Sequence, residues 1–155
     1  MIEAVLIMNK LGVLRLIKIF SEDENKIDKE ILTRNVFSEL QNSRDTSIIF
    51  DFNYFGKSRK IVYRLFGTVY IAMILDDLEN ELAMLDFLNV MIQIFDDVFK
   101  GVCELHFIMN PEKVYLILDE MVSGGSVIET SRNEITSNYL DKIRDDDNYK
   151  FFANK

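Results

Sequence analysis

Hydrophobic and polar positions alternate between two rhythms along the chain, and the switches between them outline the elements. Residues 2–8 are a short apolar run suited to a buried strand; 9–12 (NKLG) is turn chemistry, and 13–20 is a second β-prone run, so the chain opens with a hairpin. Over 27–40, apolar residues fall at Ile27, Ile31, Val36 or Phe37, and Leu40, which is helical spacing. Residues 47–52 predict a third strand, 53–60 (NYFGKSRK) a loop, and 60–66 and 68–75 two further strands joined near Gly67. The clearest helix is 81–100. Leu85, Leu88, Ile92, Phe95 and Phe99 form one stripe, and Met84, Phe87, Met91, Ile94 and Val98 form a second beside it. A helix on a single sheet needs an apolar face of about 100°. Two full stripes therefore predict burial on two sides. The cover is either this domain's own helices, or its sheet on one side and a partner on the other; in the second case the isolated chain would expose part of the helix.

Residues 102–109 read as a strand or an extended connection. Asn110 and Pro111 suit the cap and first position of a helix whose face is Val114, Ile117, Leu118 and Met121, and Gly124 and Gly125 suit its left-handed end. A weak helix is expected over 135–143. The order β-β-α-β-β-β-α-(β)-α predicts an α+β layer fold with a mostly antiparallel sheet of five strands. One domain, 1–144, is expected, followed by an acidic, mobile tail, 145–155.

Composition narrows the partners. The 155 residues are 48% hydrophobic, enough for a sizeable core, and carry a net charge of −8. Phosphate binding needs clustered Lys and Arg, so nucleic acid is disfavoured, as is direct docking on an anionic membrane. No segment reaches the roughly 20 apolar residues of a membrane span, and no signal peptide is visible. The single cysteine, Cys103, fits a reducing compartment and reads as a small buried hydrophobe. The expectation is a soluble cytoplasmic domain.

The candidate chemistry is sparse. His106 is the only histidine and has no partner at metal spacing. No sequence signature of a nucleophile, a zinc site or a phosphate loop is present. Asp119 and Glu120 are adjacent, so a helix points them apart. These features predict a binding or structural protein, not an enzyme, with no cofactor and no metal.

The segment 101–131 carries most of the specific information. Val102, Cys103, Glu104 and Leu105 are followed by Asn110, Glu112, Lys113, Val114 and Tyr115, then by Leu118 to Met121, the Gly124–Gly125 pair, and Glu129, Thr130 and Ser131. A second stretch has Ile61, Val62, Tyr63 and Arg64, then Val69, Tyr70 and Ile71 after four residues. With the opening MIEAVLIMNKLGVLRL and the ENELAML that begins the long helix, these resemble the small (sigma) chains of the clathrin-type adaptor complexes, in the same order. The resemblance covers about 1–135 and is weakest over 21–60. The insert before Lys60 and the run GGSVIETSRNEI look most like the sigma subunit of the third adaptor complex.

That resemblance implies a longin-like fold: a five-stranded antiparallel sheet with helices on both faces. It also implies a heterotetrameric vesicle coat, in which the sigma chain lies against the N-terminal solenoid of a large chain, with a medium chain and a second large chain. Membrane contact would be indirect, on Golgi, endosomal or coated-vesicle membranes. The implied site binds dileucine sorting signals in cargo tails: an acidic or polar residue, three variable residues, then Leu-Leu or Leu-Ile. Carried over position by position, the apolar pocket uses Gly67, Val69, Ile92, Val102 and Phe107, and Arg15 faces the acidic residue beside a basic residue of the large chain. Gly101 stands where the plasma-membrane type has Asn, and Phe107 where it has a smaller aliphatic. From pattern alone Val69, Ile92, Val102 and Phe107 are ordinary core positions. The alternative is a longin-like coat subunit with a purely structural role.

Overall fold

The computed structural model describes the backbone of residues 1–22, 24–43 and 46–153, and side chains within those spans as far as 146. Its centre is a five-stranded sheet in the order β2-β1-β5-β4-β3, with every neighbouring pair antiparallel. The strands are β1 (Ile2–Asn9), β2 (Leu14–Ile19), β3 (Ile48–Tyr54), β4 (Lys57–Phe66) and β5 (Val69–Leu75). Strand side chains alternate between faces, and β5 shows the consequence. Val69, Ile71, Met73 and Leu75 enter one apolar layer, while Ala72 and Ile74 enter the other, with Tyr70 packed beside them.

Helix α1 (Lys29–Asn42) covers the second layer with Leu32, Val36 and Leu40. Asp28 caps it, its carboxylate accepting from the amides of Glu30 and Ile31. Ile31, expected on the inner face, is exposed. The buried stripe is set by Leu32, one position on, because it keeps the i, i+4, i+8 spacing with Val36 and Leu40.

The opposite face carries α2 (Glu81–Phe99), α3 (Glu104–Met109), α4 (Pro111–Met121) and α5 (Arg132–Ala153). Both stripes of α2 are largely consumed inside the domain. Met84, Leu85, Phe87, Leu88, Met91, Ile94 and Phe95 are buried, and the helix packs against β4, α4 and α5. Of the two covers expected, its own sheet and sister helices supply most, while Leu82 is exposed and Val90, Ile92, Val98 and Phe99 are half-buried. Arg132 of α5 makes a two-pronged ion pair with Asp97 of α2, with Nε–Oδ2 and Nη2–Oδ1 both at 2.6 Å, and Lys142 of α5 pairs with Glu120 of α4.

Three local expectations change. The 53–60 loop is a tight hairpin: Tyr54 pairs with Lys57, and Phe55 and Gly56 turn the chain at φ 51° and 86°. Two successive positive φ values match the right-handed twist of the flanking strands. The Gly124–Gly125 pair does not cap α4, which ends at Met121. It turns a miniature hairpin of β6 (Val122–Ser123) and β7 (Ser126–Val127), again with two positive φ values, 55° and 87°. The last helix begins at Arg132 and runs to Ala153, well beyond 135–143, and so crosses the expected 144/145 boundary. Most of the side chains of the expected tail, 145–155, lie outside the described residues.

Candidate peptide-binding site at one end of the sheet

Arg15, Gly67 and Val69 lie where β1 ends and β2 and β5 begin, and the Gly101–Val102 bend leads into the helix that meets Arg15. The β1–β2 turn is closed by Asn9, whose Oδ1 accepts from the amides of Leu11 (2.9 Å) and Val13 (3.0 Å). Gly12 is required there. It has φ +81°, and a Cβ would lie 2.6 Å from the Phe37 ring. This turn delivers Arg15 on β2. The β4–β5 hairpin turns at Gly67 (φ +59°), with Phe66 opposite Val69. Val69 in turn lies opposite Asn9 across the β1–β5 ladder. A hydrogen bond of 3.2 Å from the Lys10 amide to the Thr68 carbonyl ties the two turns together.

The third wall comes from the end of α2. Lys100 and Gly101 adopt positive φ, 52° and 102°, and redirect the chain. Asp96 holds the bend: its carbonyl accepts from the Gly101 amide and its Oδ1 from the Val102 amide, each at 3.0 Å. Within 102–109, the residues from Glu104 to Met109 then form α3, not a strand. The Gly101 bend brings the segment against β2, an edge strand to which it adds no sixth strand. The Cys103 amide donates to His106 Nδ1 at 3.0 Å, which caps α3 and fixes Nδ1 as the acceptor, and His106 stacks on Phe99 with ring centroids 4.8 Å apart. Cys103 is exposed, not buried as its apolar neighbours suggested. Its Sγ lies 3.5 Å from His106 Nδ1. Among the described residues no group of side chains is arranged to hold a metal ion.

Helix α3 is split by its faces. Phe107 points inward, 1% exposed, and meets Phe95 edge-to-face at 5.6 Å and 84°. Leu105, Ile108 and Met109 point outward, and Met109 is 67% exposed. Of the apolar candidates, Val69, Val102 and Phe107 are buried in the main core and Ile92 packs half-buried against it. Gly67 and Gly101 are exposed turn residues at the rim. The apolar floor is therefore contiguous with the core and closed, and Phe107 fills the space a smaller aliphatic would leave.

Arg15 is half-buried, and its Nε donates to Glu104 Oε1 at 2.8 Å. The Arg15 hydrogen bond holds the Glu104 carboxyl below the ordinary carboxylate range, and hydrogen bonds from the side chains of Asn9 and Thr68 act the same way. Sequence reasoning missed this partner. Glu104 was visible only as one letter of the VCEL run, and no periodicity links position 15 to position 104.

An antiparallel five-stranded sheet with helices on both faces is the longin-like fold. The clathrin adaptor complex small chain family matches residues 1–145, and the chain belongs to that family. It is 39% identical over 138 residues to the AP-3 complex subunit sigma of Arabidopsis thaliana, covering 87% of this chain and 82% of that protein. It is 36% identical over 144 residues to the AP-3 complex subunit sigma of Dictyostelium discoideum, covering 90% and 84%. Its fold superposes with a TM-score of 0.71 and 30% identity on a chain from a homology model of the full-length AP-3 complex in a stretched open conformation, covering 97% of this chain and 99% of that one. Among the described residues no helix is long and apolar enough to cross a membrane.

Proposed function

We propose that this chain is the sigma subunit of an AP-3-type vesicle adaptor, seated against the N-terminal solenoid of a large chain in a heterotetramer with a medium chain and a second large chain. It acts in intracellular transport on the cytoplasmic side of Golgi, endosomal or coated-vesicle membranes, which it reaches through the complex. Within that assembly it helps bind acidic dileucine signals in cargo tails. The observation that supports this reading is that half-buried Arg15 meets Glu104, two residues after Val102, at the sheet end where Val69 begins β5, with Ile92 packed on the same apolar core. Apolar contacts beside one positive charge suit weak, reversible capture of an extended peptide.

The test is direct binding of a dileucine peptide to the chain co-expressed with its large partner. Ile92→Ser and Arg15→Ala are the informative variants, since neither residue is fully buried. Val69→Asp would place a charge at a 1% exposed position and unfold the domain. Loss of peptide binding with assembly intact is the expected result; wild-type assemblies that ignore the peptide would overturn the site.

A second reading, a purely structural subunit, is favoured by Phe107, whose ring closes the apolar floor. On that reading the assembly forms normally and binds no peptide.

A further inference from the structure

We propose that Glu104 tunes how strongly this site selects an acidic signal, by presenting a carboxylate of its own to Arg15. The inference rests on the dileucine reading above and concerns the selectivity of the same site. Arg15 is the charged side chain that this subunit contributes to meet the acidic residue, beside a basic residue of the large chain, and it is already paired. Glu104 Oε1 takes Nε alone, at 2.8 Å. A guanidinium carries five donors, and among the described residues the two terminal nitrogens of Arg15 make no hydrogen bond. They remain available to an incoming group. Both partners stay about one-quarter exposed (side chains 28% and 25%), so the pair lies at the rim of the floor and not beneath it.

Glu104 is the first residue of α3, just after the Gly101 bend, and the nearby Asn9 and Thr68 side chains favour its charged form. Swinging away when a ligand arrives would give up its 2.8 Å bond to Arg15. A peptide carboxylate reaching the terminal nitrogens of Arg15 would therefore meet a like charge on the far side of the same guanidinium, which offsets much of the attraction. A neutral polar residue would need only the free N–H groups and would not be repelled. The arrangement makes the site permissive, admitting acidic and neutral polar residues at that position with similar strength.

The test uses the assembled complex, wild type and Glu104→Gln, and two fluorescent dileucine peptides that differ only in Glu or Gln at the acidic position. Gln keeps an acceptor oxygen for Arg15 Nε while removing the charge. The expected result is that E104Q binds the Glu peptide about 5- to 10-fold more tightly and leaves the Gln peptide within about twofold. The gain should shrink at about 0.5 M salt, where screening is strong. An unchanged Glu-to-Gln ratio, or a parallel loss for both peptides, overturns the proposal and leaves Glu104 as a brace for α3. If neither peptide binds either assembly, the dileucine reading falls and this inference with it; if both bind both assemblies in the same ratio, only the inference falls. Should E104Q fail to assemble, Glu104→Ser removes the charge at the same helix start and is read against the same outcomes.

Discussion

Replacing Phe107 by Ala tests the central structural claim about the site, that its apolar floor is closed core and not an open groove. The ring is 1% exposed and stands edge-to-face on Phe95. Truncation to Ala removes roughly 150 Å² of buried apolar surface, which at about 25 cal/mol/Å² is about 4 kcal/mol. That lies within the range of about 3–5 kcal/mol found for Phe→Ala changes in packed cores, where the unfilled cavity adds to the transfer cost. With a urea m-value of about 2 kcal/mol/M, the unfolding midpoint should fall by about 2 M with the slope unchanged. Equilibrium urea unfolding of the full chain, followed by far-UV circular dichroism, reads both quantities. A double-mutant cycle with Phe95→Leu should return a coupling of about 0.5–1.5 kcal/mol from the edge-to-face contact. A loss below about 1 kcal/mol would refute the reasoning, because the ring would then have been lining solvent. Phe107→Leu should cost less and open space for a ligand side chain, so a gain in peptide binding on that background would mark Phe107 as the residue that closes the site.

Other expectations follow from single contacts. Gly125→Ala should lower thermal stability by clearly more than Gly124→Ala: a Cβ at Gly125 meets the Ile2 carbonyl oxygen at 2.5 Å, whereas one at Gly124 meets nothing, leaving only backbone strain of about 1–2 kcal/mol. Lys60→Met should cost about 2–3 kcal/mol in urea unfolding, because the buried Nζ donates to the Asp77 and Glu79 carbonyls and to Glu81, and removing it leaves those acceptors without their donor. Asp97, held below the usual carboxylate range by its hydrogen bond to Arg132, contributes stability that is fully present above about pH 4 and is lost as pH falls through the lowered folded value. Asp97→Asn should therefore flatten the acid limb of a stability–pH profile below about pH 4, and an unchanged limb would show that the α2–α5 pair does not hold the helix down.

The sheet was legible because its signals are local. Apolar runs of five to eight residues bounded by turns gave all five strands, and Gly67 marked the β4–β5 turn because its φ of +59° favours glycine. The misreadings share a physical cause: the outcome was decided by what surrounds a segment. Residues 102–109 are apolar enough for a strand, but the Asp96 bonds at Gly101 and Val102 hold a bend before them, and 104–109 satisfy their amides within a helix that packs against β2. Gly124–Gly125 fits a helix end and a hairpin turn equally well by composition. The hairpin is selected by pairing of Val122 with Val127 and by the Ile2 amide, which donates to the Gly125 carbonyl at 2.7 Å. Both stripes of α2 were visible, but their cover depended on α4 and α5 folding back, which no periodicity within α2 encodes.

The same distinction explains why the apolar half of the site was visible in sequence and its polar half was not. Val69, Val102 and Phe107 are strand or helix positions that any packed domain of this kind would fill with apolar residues, so pattern finds them without distinguishing floor from core. The Arg15–Glu104 pair spans 89 residues of sequence and exists because two turns and one bend meet at one sheet end. A site assembled this way is coupled to folding. Deepening the apolar floor removes core volume and costs stability, whereas charge changes at the rim leave the core intact. Changes in signal preference are therefore least costly at positions 15 and 104, and changes in affinity for the leucine pair are the ones that should carry a penalty in stability.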